Sequence, residues 1–306
     1  MKKKSESSRF SGFNKNNLKA HFTLMVSTRA FKVSFTMVFI MAMLSYLYNL
    51  YEVRNTDINQ MKSAYTFFIL NESSRLLKYF EVLLPIIVVF PFVFSYLDDK
   101  DLKAFPYLLS RQTKRSYFTS KYIISIFGGF LIIFLPLMIN LILSTFTFPL
   151  NNNTHWGGYN YLSYEEIILG TSRAINTRFS GLPYLKVFLF SPTLYNILFV
   201  LIASIFASAL TSFAFAFSMF LQKYKILLLL PTSLLVRLLS FLDVYVYSLA
   251  YRGIPYINLN FISYIEVSGY TLGKTYLLFF GFIVILFFIG YGSMEYAIRR
   301  KSDDFV

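Results

Sequence analysis

Long apolar runs separated by polar connections are the dominant pattern along the chain. The first, from Val33 to Leu50, has eighteen residues without a charge. A helix of that length crosses the ~30 Å hydrocarbon core of a bilayer. The pattern predicts an all-α, polytopic membrane protein, with a single transmembrane domain over residues 1–306 and six spans at about 33–50, 82–97, 122–146, 193–221, 226–246 and 275–296.

Prolines and one arginine interrupt this pattern without abolishing it. Pro85 and Pro91 predict a kinked second span, and Pro192 suits the first turn of the fourth. The fifth span contains Arg237. Twelve Leu, Ile, Val or Phe residues between positions 226 and 242, at roughly −0.3 to −0.6 kcal/mol each, outweigh one arginine at about +2.5 to +3.5 kcal/mol. We therefore expect the fifth span to insert.

Arg237 is then a candidate for the bundle interior or the translocation path, because a charge at mid-depth normally faces other helices or a wet cavity. Asp243 follows six positions later and faces away on a regular helix, so an ionic partner has to come from another span. A structural role is favoured slightly over substrate contact. The alternatives are snorkelling to the membrane surface, or a position near the outer rim of a short half-helix that re-enters around Pro255.

Basic residues are concentrated in alternate connections. Segments 1–32, 97–121, 222–225 and 297–306 hold 19 Lys and Arg in 71 residues, whereas 49–81, 147–192 and 243–274 hold 9 in 111. The positive-inside rule therefore predicts that both termini lie in the cytoplasm. The connection 98–121 is then the longest cytoplasmic one between spans, and 147–192 is an external loop in which a short helix around 164–177 is predicted.

The first 32 residues are predicted to form a cationic tail followed by an amphipathic helix. Leu18, Phe22, Met25 and Val26 are spaced for one helical face. This spacing indicates an interfacial helix on the cytoplasmic leaflet, with a simple extension of the first span as the alternative.

Composition narrows the function classes. The chain has 56% hydrophobic and 14% charged residues, no cysteine, two histidines and a net charge of +14. No thiolate site is possible, and a histidine metal cluster is disfavoured. Because the basic residues flank the apolar runs, membrane lipids rather than nucleic acid are the expected anionic partners. No metal or cofactor is predicted to bind this chain.

Three partial catalytic motifs are incomplete. A phosphate-binding loop ending at Gly273 and Lys274 lacks its first glycine, because position 268 is serine. The acidic residues at positions 98, 99 and 101 lack the second cluster that intramembrane prenyltransferases need. Glu165 and Glu166 lack the arginine spacing of intramembrane proteases, since position 170 is glycine. The sequence therefore predicts no catalytic residue and a chain that is not an enzyme.

The fourth span carries small residues at four-residue spacing. Ser204, Ser208 and Ser212 lie on one helical face, which permits close helix approach. Packing within the subunit is the favoured interpretation. A permease dimer interface or the translocation path is the alternative.

The connection 98–121 carries a resemblance to a known family. A charged exit from the second span is followed by Tyr107-Leu108-Leu109, then Ser110-Arg111, Arg115 and Lys121, leading into a glycine-containing span. This order resembles the region between the second and third spans of ATP-binding-cassette type 2 permeases. The basic tail, the amphipathic helix, the six spans and the short Lys223-Tyr224-Lys225 turn extend the resemblance over most of the chain.

The resemblance implies a six-span permease subunit in a bacterial cytoplasmic membrane, acting as a transporter with a second permease subunit, identical or related. Two copies of a cytoplasmic ATPase would bind ATP and magnesium, and the permease would export a peptide, lipid-linked or other amphipathic substrate. The connection 98–121 would form a coupling helix, in which Phe105, Leu108 and Leu109 are apolar anchors and Arg111 and Arg115 charged contacts. A non-transporting sensor or assembly partner, and less so an intramembrane lipid-modifying enzyme, are the alternatives.

Overall fold

The computed structural model describes residues 15–58, 61, 63–71, 74–94, 113–150, 154–156, 159–162, 184–220, 229–250, 255–267 and 275–300. Long helices dominate these residues. In chain order they are α1 (Lys15–Ser27), α2 (Arg29–Val53), α3 (Leu77–Val93), α4 (Lys114–Thr147), α5 (Leu185–Phe190), α6 (Pro192–Ser218), α7 (Leu230–Ala250) and α8 (Tyr276–Arg300).

Short elements complete the described structure. Two 3-10 turns, Ala64–Phe67 and Phe261–Ile265, lie between long helices. An antiparallel hairpin joins β1 (Thr154–Trp156) to β2 (Tyr159–Leu162) within the predicted external loop. The helix predicted at 164–177 lies outside the described residues.

Five helices, α2, α4, α6, α7 and α8, are long and apolar enough to cross a membrane. The prediction of a helical fold is therefore confirmed, and five apolar helices of spanning length are compatible with a multi-pass membrane protein. The predicted second span corresponds to α3, whose 17 residues extend about 25 Å at 1.5 Å each. The crossing of α3, and with it the count of six spans, remains a prediction.

Hydroxyl side chains define where three long helices begin. Thr28 accepts a hydrogen bond from the Phe31 amide and starts α2, and Thr113 accepts one from Ser116 and starts α4. Ser191 accepts a bond from the Leu194 amide, and Pro192 occupies the first turn of α6 as the sequence predicts. These caps satisfy amides that have no partner inside the helix.

The central helix is α6. Of the residues in its most apolar stretch, 78% are buried, compared with 44% in α4 and 6% in α7. It packs against α4, α8 and α3, while α2 packs against α3 and α4. Helix α7 is the least enclosed of the five.

The two ends of the bundle differ in what they carry. The end with α1, the start of α4 and the end of α8 is called the proximal end, and the opposite end the distal end. At the proximal end, α1 packs on α4: His21 stacks edge-on against Tyr117 at 5.5 Å, and Met25 reaches Gly128. On the predicted apolar face of α1, Leu18 is half-buried and Phe22 and Val26 are exposed. The face of α1 that contacts the bundle therefore lies beside the predicted one.

Candidate functional site

A non-helical stretch of chain enters the bundle from the distal end. Residues 63–71, called the first inserted segment, are all buried, although only Ala64–Phe67 form a helical turn. Such a stretch has few internal hydrogen bonds, so its backbone groups need partners from the surrounding helices.

Asparagines from three helices supply many of these partners. Asn49 of α2 donates to the Phe67 carbonyl at 2.8 Å, and Asn196 of α6 donates to the Tyr65 carbonyl at 3.0 Å. Asn140 of α4 accepts from the Ile69 amide at 3.2 Å and donates to the Ala42 carbonyl at 2.7 Å. All three asparagine side chains are buried. They let irregular backbone lie within an apolar bundle.

The first inserted segment reaches well below the distal helix ends. Asn140 joins Ile69 to Ala42, and Ala42 precedes Val53, the last residue of α2, by eleven positions. At 1.5 Å per residue this contact lies about 16 Å inside the helical layer. In a membrane, that depth is within the hydrocarbon region.

A second inserted segment, residues 255–267, returns toward the bundle between α7 and α8. Asp243 of α7 accepts hydrogen bonds from the Tyr256 hydroxyl at 3.1 Å and from the Leu259 amide at 2.7 Å. The Tyr264 hydroxyl donates to the Asn258 carbonyl at 2.8 Å and accepts from the Thr275 amide at 3.0 Å. Burial, together with Asp243, raises the pKa of Tyr256, and burial raises the pKa of Tyr264, so both remain neutral donors.

The two inserted segments meet. The Val267 amide donates to the Leu70 carbonyl at 2.8 Å, and Asn71 and Val267 form an isolated parallel bridge. Leu70 and Val267 are fully buried. The non-helical parts of the distal half are therefore joined to each other as well as to the helices.

Charged groups lie beside this junction. The Lys78 ammonium is 3.2 Å from Glu81 on α3 and 3.8 Å from Glu266, the residue before Val267. The Glu81 and Glu266 side chains are 9% and 14% exposed, whereas that of Lys78 is 70% exposed. We call Lys78, Glu81 and Glu266 the distal ion cluster. Buried carboxylates in a membrane bundle mark functional positions.

Sequence reasoning did not identify these residues. The predicted second span begins at about Val82, one position after Glu81. The available signal was the spacing of three between Lys78 and Glu81, which places opposite charges together on a helix. The asparagines were missed because isolated uncharged polar residues do not end an apolar run.

Most of the predicted ATPase-coupling residues lie outside the described residues: Phe105, Leu108, Leu109 and Arg111. Arg115 is described, in the first turn of α4. Its guanidinium donates two hydrogen bonds to Glu295 of α8, at 3.1 and 3.0 Å. This pair joins α4 to α8 at the proximal end.

The predicted small-residue face of α6 is buried inside the subunit. The hydroxyls of Ser204, Ser208 and Ser212 donate to carbonyls of their own helix, at 2.7, 2.9 and 2.9 Å. The neighbouring Thr211 donates to the Ser125 carbonyl of α4 at 2.8 Å. This geometry agrees with packing within the subunit.

Arg237 is not in the bundle interior, which corrects one of the two positions expected for it. Helix α7 contacts the bundle through Thr232, Val236 and Ser240, which share one face, and Arg237 lies on the exposed side. No hydrogen bond or ion pair joins Arg237 to another described residue. The sequence did not indicate which face of α7 turns inward.

One serine of the fourth span borders a groove. An apolar groove of about 250 Å³ opens laterally between α4, α6 and α8 and is lined by Ile126, Phe127, Phe130, Ile205, Ser208 and Phe287. Among the described residues, no group of three His, Asp or Glu is placed to hold a metal ion. The described structure therefore has two candidate features, the lateral apolar groove and the distal ion cluster beside the inserted segments.

Comparison of the chain with protein-family models, with curated proteins and with solved structures found no match. The arguments for its function therefore rest on the sequence and on the geometry above.

Proposed function

We propose that the chain is the permease subunit of an ATP-driven exporter in the bacterial cytoplasmic membrane. The observation that carries the proposal is the first inserted segment, together with the buried end of the second, residues 261–267, which is joined to it. Non-helical backbone at membrane depth has to be buried in protein or to line a cavity, and transporters use it where helices part around a substrate route. A bundle that only anchors a protein has no need for such segments.

The lateral groove supports an amphipathic substrate. It opens on the side of the bundle, where lipid surrounds a membrane protein, and its lining is apolar except for Ser208. A peptide with an apolar face, or a lipid-linked compound, has the surface that such a groove accepts.

The connection 98–121 is the part of the permease that we assign to the ATPase. It joins α3 to α4, so a force applied there acts on two helices at once. Phe105, Leu108 and Leu109 provide apolar anchors and Arg111 a charged contact. Arg115 holds α8 through Glu295, and so extends the effect to a third helix. Two permeases and two ATPases, which bind ATP and magnesium, make up the transporter.

Co-purification tests this function. Replacing Leu108 and Arg111 together by alanine removes one apolar anchor and one charge from the connection. The full chain, tagged and extracted in mild detergent, is expected to retain an ATPase that mass spectrometry identifies and that hydrolyses ATP. The doubly substituted chain is expected to lose it.

The matched control is Arg9→Ala with Phe10→Ala, which removes the same kinds of group from the N-terminal tail and is expected to leave the ATPase bound. A wild-type chain that carries no nucleotide hydrolase contradicts the proposed function. Equal recovery by both doubly substituted chains contradicts the docking assignment alone.

A further inference from the structure

The distal ion cluster connects parts of the chain that are far apart in sequence. Lys78 lies in the first turn of α3, while Glu266 lies at the end of the second inserted segment. Glu81 holds the lysine from its own helix at 3.2 Å, and Glu266 is reached at 3.8 Å. The contact between the two elements is thus the longer of the two.

This contact is accessible to water from the lysine side. The Lys78 side chain is 70% exposed, and exposed ion pairs contribute little to stability because water screens them and competes for both partners. The contact is therefore able to open and close without unfolding the helices around it.

Fully buried groups lie directly behind the cluster. Val267 follows Glu266, and its amide donates to Leu70 of the first inserted segment at 2.8 Å. Tyr264 and Ile265, just before Glu266, are also fully buried. The end of the second inserted segment is therefore held by the backbone bond to Leu70 on its buried side and by the pair with Lys78 on its exposed side.

Helix α3 can bend between the cluster and its proximal end. Pro85 has no amide hydrogen to donate to the carbonyl four residues earlier, which is that of Glu81. Pro91 leaves a second helical hydrogen bond unmade six residues later. The first turn of α3 nevertheless continues into the rest of the helix without a break, so a displacement of α3 along its axis also moves Lys78. Its other end leads into the connection 98–121.

We propose that the distal ion cluster is a latch that closes the distal end of the bundle by holding the second inserted segment against α3. A movement of α3 toward its proximal end withdraws Lys78 from Glu266, and the two inserted segments separate at the Leu70–Val267 hydrogen bond. The inference rests on the proposed function only for the force that moves α3.

The absence of native cysteine allows a direct test. Val267→Cys places a thiol at a fully buried position behind the latch, and reaction with a membrane-impermeant maleimide reports its exposure in the full-length chain in intact membranes. Adding Lys78→Met, which keeps the apolar stem, is expected to raise the labelling rate by about fivefold or more by favouring local opening. Exchanging the charges, as Lys78→Glu with Glu266→Lys, is expected to return the rate to near its original value.

Two controls separate a latch from general loosening. Arg75→Met is the same change at an exposed residue, whose guanidinium lies over the Tyr48 ring at 5.0 Å, and is expected to leave the rate unchanged. A thiol placed instead at Ser204, fully buried in α6, is expected to stay unlabelled when Lys78 is replaced.

An unchanged rate in the Lys78→Met chain overturns the latch, and so does an equal rise with Arg75→Met. Labelling at Ser204 would show that the bundle has unfolded, and would also overturn it. The measurement compares labelling of this chain with and without Lys78 and does not score ATP hydrolysis, so its outcome is distinguishable from failure of an ATPase to co-purify.

Discussion

At the scale of single residues, the buried asparagines explain how irregular backbone is tolerated in this bundle. Asn140 is the clearest case, because its amide group serves the first inserted segment and α2 together. An aliphatic side chain at this position would leave the Ile69 amide and the Ala42 carbonyl buried without that partner. The Ala42 carbonyl lies inside α2 and also accepts a bond within that helix, so the loss falls mainly on the Ile69 amide; one buried group left without a partner costs about 1–3 kcal/mol.

Asn140→Leu is therefore expected to lower the free energy of unfolding by about 1–3 kcal/mol, measured by chemical unfolding in mixed micelles. Ile139→Leu, at the neighbouring exposed position, is the control and is expected to change it by less than about 0.5 kcal/mol. Equal effects of the two substitutions would show that the asparagine does not support the inserted segment.

The same residues show what sequence reasoning can reach. An isolated asparagine in an apolar helix indicates a buried hydrogen bond, but it does not identify the partner. The Ile69 amide, which Asn140 accepts from, lies 71 positions earlier in the chain. The predicted bound at about Val82 leaves Glu81 outside the second span, whereas in the structure Glu81 lies inside α3 and pairs with Lys78 three positions earlier. The position of Arg237 could not be predicted from the sequence. It depends on which face of α7 turns toward the bundle, and tertiary packing determines that face.

At the scale of elements, the contact between α4 and α6 depends on one glycine. A Cβ at Gly129 would lie 2.4 Å from the Thr211 hydroxyl oxygen and 2.7 Å from its methyl carbon. The two backbones approach closely here, and Thr211 fastens them through its bond to Ser125. The sequence showed the small residues of α6 but not that Gly129 of α4 faces Thr211.

Gly129→Ala is expected to lower the free energy of unfolding by about 1–3 kcal/mol through overpacking. Thr211→Ala removes both atoms that clash most, so the doubly substituted chain is expected to lose less than the sum of the single losses. Gly281→Ala is the matched control, because no atom lies within 4 Å of the added Cβ. Alanine also favours the helix over glycine by about 1 kcal/mol. Strict additivity would show that the two residues are not in contact.

At the scale of the whole molecule, the direction of each helix is fixed by its neighbours. α2, α4 and α7 run from the proximal to the distal end, and α3, α6 and α8 run back. The sequence predicted this alternation from the apolar runs and the basic connections. Each of these two signals is formed by residues close together in the chain. The sequence offers re-entry of the chain around Pro255 as one alternative. It does not indicate the first inserted segment, because polar residues between spans are read as surface loops.

Single cysteines test the alternation and the crossing of α3. Thiols at Asn55, after α2, and at Thr275, before α8, are expected to react with an impermeant maleimide in intact cells. A thiol at Thr113, before α4, is expected to react only after the membrane is made permeable. Reaction of Asn55→Cys and Thr113→Cys from the same side would mean that α3 does not cross and that the chain spans the membrane five times.

The length of α4 has a mechanical consequence. Its 34 residues extend about 51 Å, well beyond a ~30 Å hydrocarbon layer, and α1 braces it through His21 and Met25. Under the function proposed above, the part of α4 that projects beyond this layer is a lever arm. A partner bound near Lys114 would then tilt α4 with less force, over a longer path, than one bound closer to the other helices.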